Sequence, residues 1–172
     1  MDHILSILTF LPLAVGLGCF VAPDKAASGL AMVGSLVTLA LSWTLWGSYD
    51  PSGAAFQLTE TIPWIPDLGI HYAVGIDGIS LLLILLTTVL TPVIILSATP
   101  AIHERLNQYL GWMMVLESAM IGTFVALDTF LFYVFWELML IPMYFLIGIW
   151  GGERRIYATI KFFIYTMAGS VF

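Results

Sequence analysis

The chain has 172 residues, of which 60% are hydrophobic and 9% charged, and its net charge is −6. Soluble domains carry about 25% charged residues, so this composition belongs in a membrane; the acidic balance also argues against nucleic-acid binding, which wants a basic stripe. A single cysteine, Cys19, excludes an internal disulfide or a cysteine-based metal motif.

The first apolar run covers residues 3–22. Its start, Met1-Asp2-His3, has no lysine or arginine, so an uncleaved helix bent at Pro12 is expected rather than a signal peptide. A second helix is predicted over 26–46, with Gly29, Gly34 and Ser35 allowing close approach of neighbours and Trp43, Trp46 and Tyr49 marking a membrane–water interface. Residues 48–75 form a long polar connection. Within it, 57–62 and 70–74 alternate as two short strands, and the Pro/Gly-rich segment between them reads as their turn. A third helix is predicted over 76–97, with Asp77 favouring the dipole at its start and Pro92 in its interior.

A fourth helix is expected over 109–127, with Glu117 near its middle, and a fifth over 128–150. In the fifth, Glu137 is the only residue between Asp128 and Gly151 that is ionisable near neutral pH. A sixth begins at 156 and is still apolar at residue 172; its length of about 17 residues is near the lower limit for a span, so a fragment of a longer chain is expected. The resulting fold class is all-α: a polytopic transmembrane bundle of about six helices with a small external hairpin between helices two and three. The basic residues Lys25, Arg105, Arg154, Arg155 and Lys161 all fall on one side of this topology. The positive-inside rule then places the N-terminus and the 48–75 connection outside.

Glu137 is the leading candidate for chemistry. It lies about 13 Å along the helix from Asp128, near the middle of a hydrocarbon core about 30 Å thick. A charged side chain at that depth costs about 2.5–3.5 kcal/mol on insertion scales, and intramembrane acids commonly mark ion pathways. Pro142 cannot donate to the carbonyl of Leu138, which leaves an acceptor that water can hydrate beside the carboxyl. A proton-carrying role and a packing role, protonated or hydrogen-bonded to a neighbouring helix, both remain open. Glu117 could form a relay with Glu137 or be unrelated to it. Lys161 could snorkel to the interface or face the fifth-helix carboxyl. Arg154 and Arg155 read as interfacial anchors. His3, His71 and His103 form no ligand cluster, so no metal site is expected. No phosphate loop, nucleotide fingerprint or catalytic triad is present.

The segment Phe132-Tyr133-Val134-Phe135-Trp136-Glu137-Leu138-Met139-Leu140-Ile141-Pro142-Met143-Tyr144 and its continuation through Gly151-Gly152 closely resemble subunit M, or chain 4, of NADH-quinone oxidoreductase, respiratory complex I. Arg154-Arg155-Ile156-Tyr157-Ala158, Lys161-Phe162-Phe163-Ile164-Tyr165-Thr166 and Val74-Gly75-Ile76-Asp77-Gly78-Ile79-Ser80 extend the resemblance over roughly residues 70–172. It implies an antiporter-like, proton-translocating subunit of about fourteen helices in a bacterial inner or other energy-transducing membrane. Such a subunit holds no redox cofactor; NADH, flavin, iron–sulfur clusters and quinone are expected in other subunits, and its partners are the other membrane-arm subunits and the lipid bilayer. Glu137 matches the family's fifth-helix glutamate, which pairs with a lysine on helix seven. That lysine lies outside this sequence, so the fragment alone is expected to be inactive. Two further readings stand beside this one: a cation/proton antiporter subunit outside respiration, and a helix-packing or assembly protein.

Overall fold

The structure is a computed structural model and describes residues 3–171. Its helices are α1 (Ile4–Val21), α2 (Asp24–Ser48), α3 (Gly78–Ala101), α4 (Leu106–Val125), α5 (Thr129–Leu138), α6 (Leu140–Trp150) and α7 (Arg155–Val171). Four apolar stretches among the described residues are long enough to cross a membrane: Ile4–Val21, Asp24–Ser48, Gly78–Ala101 and Thr129–Trp150. The last comprises α5 and α6 together, so the predicted fifth helix is one span interrupted at Met139. Pro142 supplies the reason: it has no N–H for the carbonyl of Leu138, and the helical ladder lapses there. Around the lapse, Met139 N–H donates to Phe135 O at 3.3 Å and Met143 N–H to Met139 O at 3.4 Å, both long for helical bonds.

The chain between α2 and α3 folds back as an antiparallel pair, β1 (Gln57–Ile65) and β2 (Ile70–Ile76), joined by a 3-10 turn at Pro66–Leu68 and closed by Gly69 in the left-handed region (φ 67°). β1 runs on through Pro63, where alternation alone would end it. A two-stranded ribbon has a free edge on each strand, and an edge position tolerates a missing N–H. A register shift between Pro63 and Ile65 absorbs the irregularity. β2 also reaches the α4–α5 corner: Leu127 N–H donates to Ala73 O at 2.8 Å, and Val74 bridges Ala126.

α3 starts at a capping box. Asp77 accepts from Ser80 N–H at 2.7 Å, and Asp77 N–H donates to the Ser80 hydroxyl at 2.9 Å. This reciprocal pair satisfies two amide donors that a helix start otherwise leaves orphaned.

α4 lies at the centre, against α1, α2, α3, α5 and α6. The approach of α1 to α4 is close enough that a Cβ on Gly16 would lie 2.9 Å from the Gly111 carbonyl oxygen. Between apolar helices in lipid the hydrophobic effect gives little, so packing and hydrogen bonds must hold the bundle. Ser42 and Thr88 join α2 to α3 at 2.8 Å, Ser28 and Thr99 do so at 3.2 Å, and the Ser118 hydroxyl donates across to Thr9 O at 2.6 Å. Such bonds average about 0.6 kcal/mol each in a membrane protein.

At one end of the bundle the hairpin meets α1, α3 and the α4–α5 corner. At the other end the three short connections converge. There Asn107 N–H donates to Asp24 at 2.9 Å, and the Trp150 indole donates to Glu104 O at 3.0 Å. Lys25, Arg105, Arg154 and Arg155 flank these connections.

Candidate functional site

Glu137 is the penultimate residue of α5, two residues before the interruption at Met139, and is half-buried. At the other end of α5, the carboxylate of Asp128 caps the helix, accepting from Phe130 N–H at 2.9 Å and Leu131 N–H at 3.1 Å. It also accepts from His71 N–H on β2 at 3.3 Å, which ties α5 to the hairpin. These amides, that of Leu131 foremost, hold the Asp128 carboxyl below the usual carboxylate range.

The carboxyl of Glu137 meets the hydroxyl of Ser170 on α7. The same hydroxyl lies 3.0 Å from Met167 O. A hydroxyl has one proton and two lone pairs. It can therefore donate to an ionised Glu137. Alternatively, it can turn its proton to Met167 O and accept from a protonated Glu137. Ser170 thus serves either charge state of the carboxyl without a change of backbone. It also lines a groove of about 380 Å³ between α5 and α7, together with Phe132, Tyr133, Trp136, Tyr165 and Thr166.

Lys161 does not take the place of a partner to Glu137. Its ammonium lies over the rings of Tyr157 and Tyr165, 5.7 Å from each centroid, on the exposed face of α7. Along α7, nine residues, or about 13 Å, separate it from Ser170. Arg154 stacks similarly on Tyr157 at 5.3 Å, and Arg155 donates to Ile149 O at 2.8 Å, closing the C-terminal end of α6.

Glu117 is only 2% exposed, and neither carboxyl oxygen has a hydrogen-bond partner among the described residues. It borders a cleft between α3 and α4 with Thr87 and Thr91. Glu117 and Glu137 are not brought together by a hydrogen bond: one looks towards α3 and the other towards α7. Ser170, Thr87 and Thr91 carry no charge and drew no attention in the sequence. The i, i+4 spacing of the two threonines on one helix face was a readable signal; the long-range contact of Ser170 had none.

Residues 126–172 match the family described as NADH:quinone oxidoreductase/Mrp antiporter, TM. Across 99% of its length the chain is 47% identical to NADH-quinone oxidoreductase subunit M of Rhodobacter capsulatus, covering 34% of that protein. It is 42% identical to F(420)H(2) dehydrogenase subunit M of Methanosarcina mazei, over 99% of this chain and 35% of that protein. Among solved structures it is similar to a chain of respiratory complex I from Thermus thermophilus, with a TM-score of 0.83 and 28% identity over 96% of this chain and 33% of that one. The Mrp complex from Dietzia shares the fold, with a TM-score of 0.82 at 15% identity over 97% of this chain and 18% of that one. The chain spans about a third of the length of the subunit M proteins it matches. With identity of this level running along nearly every residue, the chain belongs to the antiporter-like membrane-subunit family of NADH-quinone oxidoreductase, complex I.

Proposed function

We propose that this chain is part of a proton-translocating membrane-arm subunit in which Glu137 takes up and releases a proton as quinone is reduced elsewhere in the complex. The observation that carries this reading is the setting of Glu137: a costly carboxyl beside an interruption in its own span, held by a hydroxyl that suits both of its charge states. An approaching positive charge favours the ionised form and its withdrawal favours the protonated one. The positive charge is assigned to a lysine on a later helix of the full-length protein, since Lys161 is turned away on the tyrosine face. Glu117 is a second buried proton site, serving its own cleft. The chain itself binds no redox cofactor; NADH, flavin, iron–sulfur clusters and quinone belong to partner subunits, which pack around it in the bilayer. The hairpin end faces outward and the basic end inward, in line with the positive-inside rule.

The test is Glu137→Gln in the full-length protein within its assembled complex. The expected result is loss of most quinone-coupled proton translocation with assembly retained. Normal translocation by the assembled variant overturns the assignment. The matched family, whose description names the Mrp antiporter beside NADH:quinone oxidoreductase, favours a second reading, cation/proton exchange without quinone chemistry. Sodium-dependent proton flux in the absence of quinone distinguishes it.

A further inference from the structure

The α3–α4 seam holds two adjoining cavities that share Leu83 and Phe124 as lining residues. The one nearer the hairpin, of about 270 Å³, is bordered by Asp77, Ser80 and Thr123. The deeper one, also of about 270 Å³, is bordered by Thr87, Thr91 and Glu117. On α3, positions 80, 83, 87 and 91 recur every three or four residues, as do 117, 120 and 124 on α4, so each set lies along one helix face. The polar side chains therefore form two groups along one seam, separated by Leu83 and Phe124.

The deeper group contains the one buried acid whose oxygens find no hydrogen-bond partner among the described residues. An unpaired buried carboxyl calls for a donor, and a buried water needs two to four polar partners and roughly 30 Å³. The deeper cavity offers both room and partners. The Thr87 hydroxyl donates to Leu83 O at 2.9 Å and that of Thr91 to Thr87 O at 3.0 Å, so both keep lone pairs free to accept. The lateral wall gives water no comparable approach: Leu86, Leu90 and Ile94 are apolar and face outward. Glu117 lies eight residues, or about 12 Å, from the hairpin-side end of α4 at Val125.

We propose that the α3–α4 seam is an aqueous access route by which water and protons reach Glu117 from the hairpin face, with Leu83 and Phe124 as its collar. The carboxylate of Glu117 takes a proton from hydrated hydronium arriving past Ser80, leaving water behind, and returns it by the same route. This route is separate from the α5–α7 groove at Glu137. It therefore stands or falls independently of the role assigned to that residue.

The experiment uses the full-length protein in its complex, in sealed vesicles of either orientation, on a background free of other reactive thiols. A charged, membrane-impermeant thiol reagent is applied to single variants Ser80→Cys, Thr87→Cys and Leu86→Cys. Ser80→Cys identifies the hairpin side. Thr87→Cys is expected to react from that same side only, and Leu86→Cys from neither. Adding Leu83→Trp should slow the reaction of Thr87→Cys by about tenfold, since access controls thiol reactivity, and leave Ser80→Cys unchanged. Where Leu83→Trp prevents assembly, Phe124→Ala serves instead and should speed the reaction of Thr87→Cys. A Thr87→Cys thiol that is unreactive, or that reacts from the opposite face, overturns the proposal. So does a labelling rate indifferent to the collar substitutions. Because no outcome is read from proton translocation, normal pumping by Glu137→Gln would leave this result standing.

Discussion

Glu60, on the hairpin, accepts a hydrogen bond from the backbone N–H of Leu5 at 2.9 Å across 55 residues of sequence. Its carboxylate also takes the amide of Ser6 at 3.3 Å and lies 3.2 Å from the His3 ring, while Ser6 meets the Tyr72 hydroxyl at 2.9 Å. A helix start has unsatisfied N–H groups and partial positive charge, and here another element supplies the cap that α1 lacks in its own sequence. Glu60→Ala should cost about 1 kcal/mol, the usual loss on removing a cap, and loosen the hairpin from α1. Faster amide exchange at Leu5 and Ser6, with the far end of α1 unchanged, is the expected signature.

Asp128 gives a pH dependence with a definite sign. Backbone amides hold its carboxyl below the ordinary carboxylate range in the folded protein. The contribution is therefore complete at pH values above that ordinary range and fades as pH falls through the lower, folded value. Protection of the His71 and Leu131 amides, taken relative to their intrinsic exchange rates at each pH, should fall together in that acidic window. Asp128→Asn, which cannot ionise, should leave that protection unchanged across the window.

Gly122 sits where α4 meets α5, and a Cβ there would overlap the ring of Phe135. Phe135 is in the main core, so the ring has no open space to enter. Gly122→Ala should cost about 1–3 kcal/mol, the usual penalty for overpacking, and lower the denaturation temperature of the assembled protein. Phe135→Leu in the same chain should recover part of the loss.

Ser170→Ala removes the hydroxyl that meets Glu137. A hydrogen bond to a charged group is worth about 1.5–3 kcal/mol, so translocation should slow by tenfold or more. Ser170→Thr keeps a hydroxyl at the same place and should retain most of the rate. Equal rates for the alanine and threonine variants would remove Ser170 from the proton path.

Local chemistry made much of this fold readable. The Asp77–Ser80 box, the alternation flanking Pro66 and Gly69, and the cost of Glu137 in a long apolar run each depend on residues close in sequence. What escaped depends on contacts between distant elements. Nothing near Glu60 indicates that it caps α1. Nothing near Ser170 links it to an acid 33 positions earlier. Glu117 was legible as a buried acid, but the neighbour it faces is set by the rotation of α4 within the bundle. Lys161 illustrates the same limit: its charge suggested a partner for Glu137, while the tyrosines four positions to either side gave its ammonium a nearer seat.

The lapse at Met139 has a mechanical consequence. A continuous helix transmits bending along its whole length. The span that carries Glu137 is instead two short rods joined beside the carboxyl, with the first anchored by Asp128 to the hairpin and the second closed by Arg155 at the opposite face. Strain applied at either membrane surface is concentrated at this joint, so a displacement of one rod moves Glu137 relative to Ser170 without requiring the rest of the bundle to follow.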